Sequence, residues 1–275
     1  MHREISTEKF WDQEVVDPIL MSWMENALVR DYINRSISGT DEPLWPIDWF
    51  QRWLSGRRFQ RALSIGCGTG ALERDLAGKN IVETIDAFDG STNSLRLARE
   101  AADAAGLGKR IRYYAADFNE PVLPRAAYDA VFIHQAAHHV AKLEKLYRAV
   151  LRALKPDGIL YLDEYIGPSR FYWSDATIAR HREIHARLEK KRGEILILPV
   201  HPYDPSEAFR SDEIMPQLVI GFEVAEMRGY GGNLLSVLYP SANLSEREIE
   251  SLIAEEKRAL AAGQTPYYAV IVARP

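Results

Sequence analysis

The stretch Leu63-Ser64-Ile65-Gly66-Cys67-Gly68-Thr69-Gly70-Ala71-Leu72 constrains this chain more than any other. An apolar run ends in glycines at alternate positions and a helical pattern follows, which reads as a strand, a tight turn and a helix N-terminus. Glycines reach backbone angles closed to other residues and let a ligand approach the main chain. In an open α/β sheet this arrangement seats a nucleotide-like cofactor at the carboxyl end of the first strand. The turn alone does not choose the cofactor, because Gly66-x-Gly68-x-x-Ala71 also fits the dinucleotide fingerprint, whose last position tolerates alanine.

A length of 275 residues allows one large or two small domains. With 34 basic against 39 acidic residues the net charge is -5, which argues against a dedicated nucleic-acid binder. The single cysteine, Cys67, cannot form an internal disulfide and reads as a small buried filler within the turn. The polar start of the chain lacks the apolar core of a signal peptide, and no apolar run is long enough to span a bilayer. The expectation is a soluble cytoplasmic protein.

Residues 1–60 read as a helical extension or lid. Within them Trp45, Trp49 and Trp53 share one helix face, which favours packing against the core over a lid on a ligand. From residue 61 strands and helices alternate. The strands are expected at 61–65, 81–88, 111–115, 129–134 and 159–165. Helices are expected from Ala71, over 91–105, and along the amphipathic face Leu143, Leu146, Tyr147, Val150, Leu151 and Leu154, with Pro156-Asp157-Gly158 as a turn. Such alternation implies right-handed crossovers and a mostly parallel sheet covered on both faces.

Residues 166–217 break the pattern with a long polar helix, expected over about 174–192, and the prolines Pro199, Pro202 and Pro205. They read as an insertion on the substrate side. Two closing strands, at 222–227 and 267–273, flank a helix with the capping box Ser245-x-x-Glu248 that ends at Gly263. The predicted fold is therefore α/β and Rossmann-like. It has a seven-stranded, mostly parallel sheet with helices on both faces, an antiparallel last strand, and one domain over 61–275.

Asp89 follows Gly70 at the spacing of about twenty residues where a carboxylate accepts hydrogen bonds from both ribose hydroxyls. Asp86 competes, but Asp89-Gly90-Ser91 leading into Leu95 and Ala98 favours Asp89. After the third strand, Asp117 can accept from an adenine amino group and Phe118 can flank the ring. The fourth strand ends in His134-Gln135-Ala136-Ala137-His138-His139, and Leu154-Lys155-Pro156-Asp157-Gly158 follows the next helix. With these motifs in this order, residues 61–165 resemble the class I S-adenosylmethionine-dependent methyltransferases. The resemblance implies S-adenosylmethionine as cofactor and S-adenosylhomocysteine as product, held by Gly66, Cys67, Gly68, Gly70, Asp89, Gly90, Asp117, Phe118 and His134. The family usually carries an acid two residues before the first motif glycine, where it orders the methionine end of the cofactor; here Ser64 stands there. Pro156-Asp157-Gly158 replaces the usual Pro-Gly-Gly turn.

Methyl transfer from a sulfonium is a direct displacement, so the protein must align the nucleophile and, for a hydroxyl, take a proton. Histidine suits that task. His138 and His139, just past the fourth strand, are the candidate general bases, with His138 ahead; shaping the pocket or capping the next helix is their plainer role. Glu164, ending the fifth strand, joins the histidines as a candidate catalytic residue: it is expected to face the same cleft and orient the substrate or the histidine, or equally to be a surface carboxylate. Tyr165, Arg170, Tyr172, Trp173, His201, Tyr203, Asp204 and Arg210 give the insertion a mixed aromatic and polar lining suited to a hydroxylated ring or a sugar. Asp204-Pro205-Ser206-Glu207 and Tyr230-Gly231-Gly232-Asn233 look more specific than plain connectors. The basic run around Arg180 to Arg192 offers a phosphate- or nucleic-acid-binding face, but it is interleaved with Glu183, Glu189 and Glu194, which with the negative net charge favours a solvated helix. No metal site is expected, because His134, His138 and His139 lack carboxylate or thiolate companions and adjacent histidines rarely chelate one ion on regular structure.

The leading reading is thus an enzyme that methylates an oxygen of a small molecule, without a nucleic-acid partner or membrane span; a homodimer stays open. Nitrogen and carbon acceptors of the same fold are alternatives. A nicotinamide-dependent oxidoreductase rests only on the glycine match and lacks a Tyr-x-x-x-Lys pair. A non-catalytic cofactor-binding protein is the third class.

Overall fold

The computed structural model describes residues 12, 23–188, 206–239 and 244–275. Helices α1 (Ala27–Ser38) and α2 (Pro46–Trp53) precede the sheet. Then come β1 (Phe59–Ile65), α3 (Ala71–Gly78), β2 (Val82–Asp89), α4 (Thr92–Ala104), β3 (Ile111–Ala115), β4 (Tyr128–His134), α5 (Leu143–Ala153) and β5 (Leu154–Tyr165). Helix α6 (Asp175–Arg187), β6 (Glu223–Gly231), α7 (Glu246–Ala261) and β7 (Tyr268–Arg274) complete the described elements longer than five residues. The seven strands form one sheet in the order β3-β2-β1-β4-β5-β7-β6, with β7 antiparallel to both of its neighbours and the other pairings parallel. This is the Rossmann-like sheet the alternation predicts.

The two-residue period of the strands sorts their side chains into two cores. Ala62, Phe132, Tyr161 and Val270 go to one face, under α1 to α4 and α7. Leu63, Val131, Leu160 and Ile271 go to the other, under α5. Burial on both faces explains why the central strands read as unbroken apolar runs. Between β1 and β4 the strand order reverses, and such a switch point opens a crevice at the carboxyl ends of the strands. The glycine turn borders it on one side and the segment after His134 on the other.

Three expectations change. The fifth strand starts at Leu154, not Ile159. Leu154 pairs with Tyr128 and Ile159 with Ala130, so the predicted turn Pro156-Asp157-Gly158 lies in a bulge within β5, fastened by Lys155 Nζ on Asp129 Oδ1 at 2.7 Å. Helix α6 ends at Arg187, and His181 and His185 on it are buried, so its face is not wholly solvated. Of the three tryptophans Trp49 is buried, whereas Trp45 is 53% exposed at the helix cap with the Arg30 guanidinium over its ring. The capping box on α7 is present. Pro199, Pro202, Pro205, His201, Tyr203 and Asp204 lie outside the described residues.

The closest backbone approach in the crevice is at Gly66. Its φ is +73°, and a Cβ there would stand 2.2 Å from the Ala136 Cβ. Gly66→Ala therefore meets left-handed strain and a clash together. We expect a loss of about 2–4 kcal/mol in urea unfolding; an unchanged midpoint would show that the turn is not packed this tightly.

Candidate active site

A cavity of about 530 Å³ fills the crevice, a volume typical of small-molecule and cofactor sites. Its wall includes Gly66, Cys67, Gly68, Asp89, Gly90, Asp117, Phe118 and His134, eight of the nine residues expected around the cofactor. Gly70, the ninth, caps α3 in a left-handed conformation behind the wall. Asp89 Oδ2 accepts the Gly68 N–H at 2.7 Å and Oδ1 accepts the Ser91 N–H at 2.8 Å, so one carboxylate ties the glycine turn to the start of α4. Burial raises the Asp89 pKa above the ordinary carboxylate range. Asp86, the competitor, is committed elsewhere: Arg61 Nη2 lies 2.6 Å and Tyr128 Oη 3.2 Å from its Oδ2, beneath a separate groove. The Cys67 thiol is pushed well up by burial, which fits an inert filler. His134, with a half-exposed ring, is backed by buried Asp163, 3.6 Å from its Nε2. Tyr230 donates to the other Asp163 oxygen at 2.6 Å, which gives the Tyr230-Gly231-Gly232-Asn233 segment a structural purpose.

Sequence reasoning missed several wall residues: Ser91, Ser94, Leu72 and Glu73. Asp12 also reaches this edge, accepting the Ser91 hydroxyl at 2.6 Å and the Asn93 N–H at 3.0 Å.

Past β4 the chain makes a 3-10 turn, Ala137–His139. Glu164, fully buried at the end of β5, anchors it. Its Oε1 accepts the N–H groups of Ala136 and Ala137 at 2.7 and 2.6 Å, and its Oε2 lies 2.8 Å from His138 Nδ1. A carboxylate only accepts, so His138 donates from Nδ1, and in the neutral ring Nε2 is left as the proton acceptor. Glu164 is thus neither a surface carboxylate nor on the cavity wall, but a buried anchor of the turn that carries His138. His139 lines the cavity, and its Nδ1 lies 3.0 Å from the Ser206 hydroxyl. Both Nε2 atoms face Glu207, at 3.9 Å from His138 and 3.8 Å from His139. His138, His139 and Glu207 place one ligand atom each within 4.8 Å of one another. The tight turn brings the adjacent rings to 4.1 Å at a tilt of 43°, and Glu207 supplies the carboxylate that the histidines lacked in sequence.

Of the residues expected to line the acceptor site, those described, Tyr165, Arg170, Tyr172, Trp173 and Arg210, are not on the wall of this cavity. Tyr165 is buried and donates to the Pro168 carbonyl at 3.1 Å. Trp173 is buried against Phe171 and His181. Arg210 binds Glu144 at 2.7 Å, the Ala141 carbonyl at 2.8 Å and Glu213, fastening the insertion to α5. The Arg170 guanidinium lies over Phe209, and its backbone N–H bonds the Ala208 carbonyl. Arg170 and Arg210 thus brace the turn that delivers Ser206 and Glu207.

Residues 63–162 match the methyltransferase domain family. Among curated relatives, the sterol 24-C-methyltransferase of Yarrowia lipolytica is 28% identical over 136 residues, which is 48% of this chain and 34% of that protein. The chain therefore matches about a third of the length of such relatives. Among solved structures, Haemonchus contortus phosphoethanolamine N-methyltransferase 2 in complex with S-adenosyl-L-methionine superposes with a TM-score of 0.55 at 18% identity, covering 98% of this chain and 60% of that one. The [4+2]-cyclase SpnF superposes at 0.54 and 16% identity, covering 98% and 97%. Residues 63–162 are thus similar in sequence to a methyltransferase domain, and the whole chain shares the Rossmann-like fold of S-adenosylmethionine-dependent methyltransferases. A cyclase among its structural neighbours shows that this fold carries more than one chemistry, so the reaction has to be argued from the site.

Proposed function

We propose that the protein is an enzyme that transfers a methyl group from S-adenosylmethionine to a small molecule, and that the accepting atom is a hydroxyl oxygen, as in a hydroxylated ring or a sugar. The cavity volume, the exposed backbone of the glycine turn and the Asp89 carboxylate fit a nucleoside cofactor, with Asp117 and Phe118 at the base end. When bound, S-adenosylmethionine supplies an electrophilic methyl on a sulfonium. The chain's own part is to align the acceptor and take its proton.

One observation carries the hydroxyl: the His138–Glu164 pair beside the cavity. Glu164 fixes the His138 tautomer and stabilises the ring once it gains a proton, which is what a base for a weakly acidic hydroxyl requires. A second reading is carbon methylation, favoured by the similarity to sterol 24-C-methyltransferases. The polar wall residues His139 and Ser206, with Glu207 beside His139, support the hydroxyl over an apolar carbon skeleton. Incubation with methyl-labelled S-adenosylmethionine and matched panels of hydroxylated rings, amines and sterols tests this. Label in the first panel alone supports the proposal; label only in sterols or amines overturns the choice of oxygen.

His138, His139 and Glu207 could together hold a divalent cation, but an ion on His138 Nε2 would occupy the atom the base uses. The base reading predicts that turnover survives EDTA. Loss with EDTA and recovery on adding magnesium or zinc would transfer the role to a metal.

A further inference from the structure

Glu73 is fully buried on the first turn of α3 and lines the cavity. Its Oε1 accepts the Ser64 hydroxyl from β1. Its Oε2 has no hydrogen-bond partner among the described residues. A buried carboxylate with an unmatched oxygen is costly to ionise. Burial accordingly pushes the Glu73 pKa up, with the Ser64 hydroxyl the largest of the effects that oppose it only in part. Nothing in the packing of α3 calls for an acid here, since Leu76 and Ala77 on the same helix are buried without one.

We propose that Glu73 is the counter-charge for the ammonium group of the cofactor's amino-acid end, held in place by Ser64. This deepens the proposed function and rests on its assignment of S-adenosylmethionine to the cavity. The charge logic is simple. The cofactor brings a nucleoside at one end and a zwitterionic amino acid at the other. Of the three wall carboxylates, Asp89 is the acidic group for ribose hydroxyls and Asp117 stands at the base end, which leaves Glu73, with its unpartnered Oε2, for the amino-acid end. Pairing with a cation at this buried position gives that oxygen the partner it lacks and makes the ionised form favourable. Ser64 then acts as a positioning residue. Its hydroxyl occupies one Glu73 oxygen and leaves the other for the ligand.

Calorimetric titration of wild type and Glu73→Gln with two probes tests this. S-adenosylhomocysteine has the amino-acid end and 5′-methylthioadenosine lacks it. Glu73→Gln is expected to weaken S-adenosylhomocysteine by about thirtyfold or more, the range for removing one partner of a buried charge pair, and to leave 5′-methylthioadenosine unchanged. Glu73→Asp, which keeps the charge, should recover part of the loss and stands in if the amide variant fails to fold. Equal losses for both probes, or no loss for either, would overturn the role of Glu73 while leaving the cofactor assignment intact. Wild type that binds neither probe would overturn the cofactor assignment, and the role of Glu73 with it.

Discussion

Replacing Asp89 by alanine is expected to reduce affinity for S-adenosylhomocysteine by about 100-fold or more. The side chain accepts two backbone N–H groups, from Gly68 and Ser91, and stands on the wall of the cavity. Hydrogen bonds to a charged group contribute about 1.5–3 kcal/mol each, and 1.4 kcal/mol is tenfold in affinity. Alanine removes the acceptor for the ribose and loosens the glycine turn at the same time. Asp89→Asn keeps the shape and one acceptor oxygen but loses the charge, so it should fall between. Calorimetry reads the affinity, and a thermal melt separates the loosened turn from the lost contact. Near-normal binding by the alanine variant would remove Asp89 from the cofactor site. Asp86 is a poor replacement, because Arg61, Arg112 and Tyr128 already hold it.

His138→Ala is expected to lower turnover by about 10²–10⁴-fold, the usual worth of a positioned base, with S-adenosylhomocysteine affinity unchanged. Glu164→Gln should do nearly the same by a different route. The amide oxygen would keep the Ala136 and Ala137 N–H groups, which turns the amide NH₂ toward His138 Nδ1. That nitrogen must then accept, the ring proton moves to Nε2, and the neutral ring can no longer take a proton there. A structural role would not produce this pairing of a well-folded Gln variant with a collapsed rate. If cofactor binding falls along with turnover in either variant, the pair holds the crevice together instead. Turnover that survives loss of both histidines would point to an amine acceptor, which needs no strong base.

Much of this was legible in the chain because it depends on neighbours in sequence. The central strands are buried on both faces and so read as apolar runs, and the glycine turn, Asp89 and the Ser245–Glu248 box are local signatures. What failed depends on contacts between distant segments. Leu154 belongs both to the apolar face of α5 and to the first pair of β5, and Pro156-Asp157-Gly158 looks like a turn whether it ends a strand or bulges within one. Arg170 and Arg210 have the composition of a substrate surface, but nothing local tells that Phe209, Glu144 and Glu213 are their partners. Glu207 was noticed only as part of an unusual segment. Nothing local tells that the insertion folds it back onto His138 and His139. Glu73 looks like an ordinary acid in a first helical turn, and only its complete burial beside Ser64 sets it apart.

The most direct test of the central claim is calorimetric titration of the purified protein with S-adenosylhomocysteine, with NADH run in parallel. Saturable binding of S-adenosylhomocysteine alone is the predicted result. Binding of NADH alone would contradict it and turn the glycine turn into a dinucleotide site.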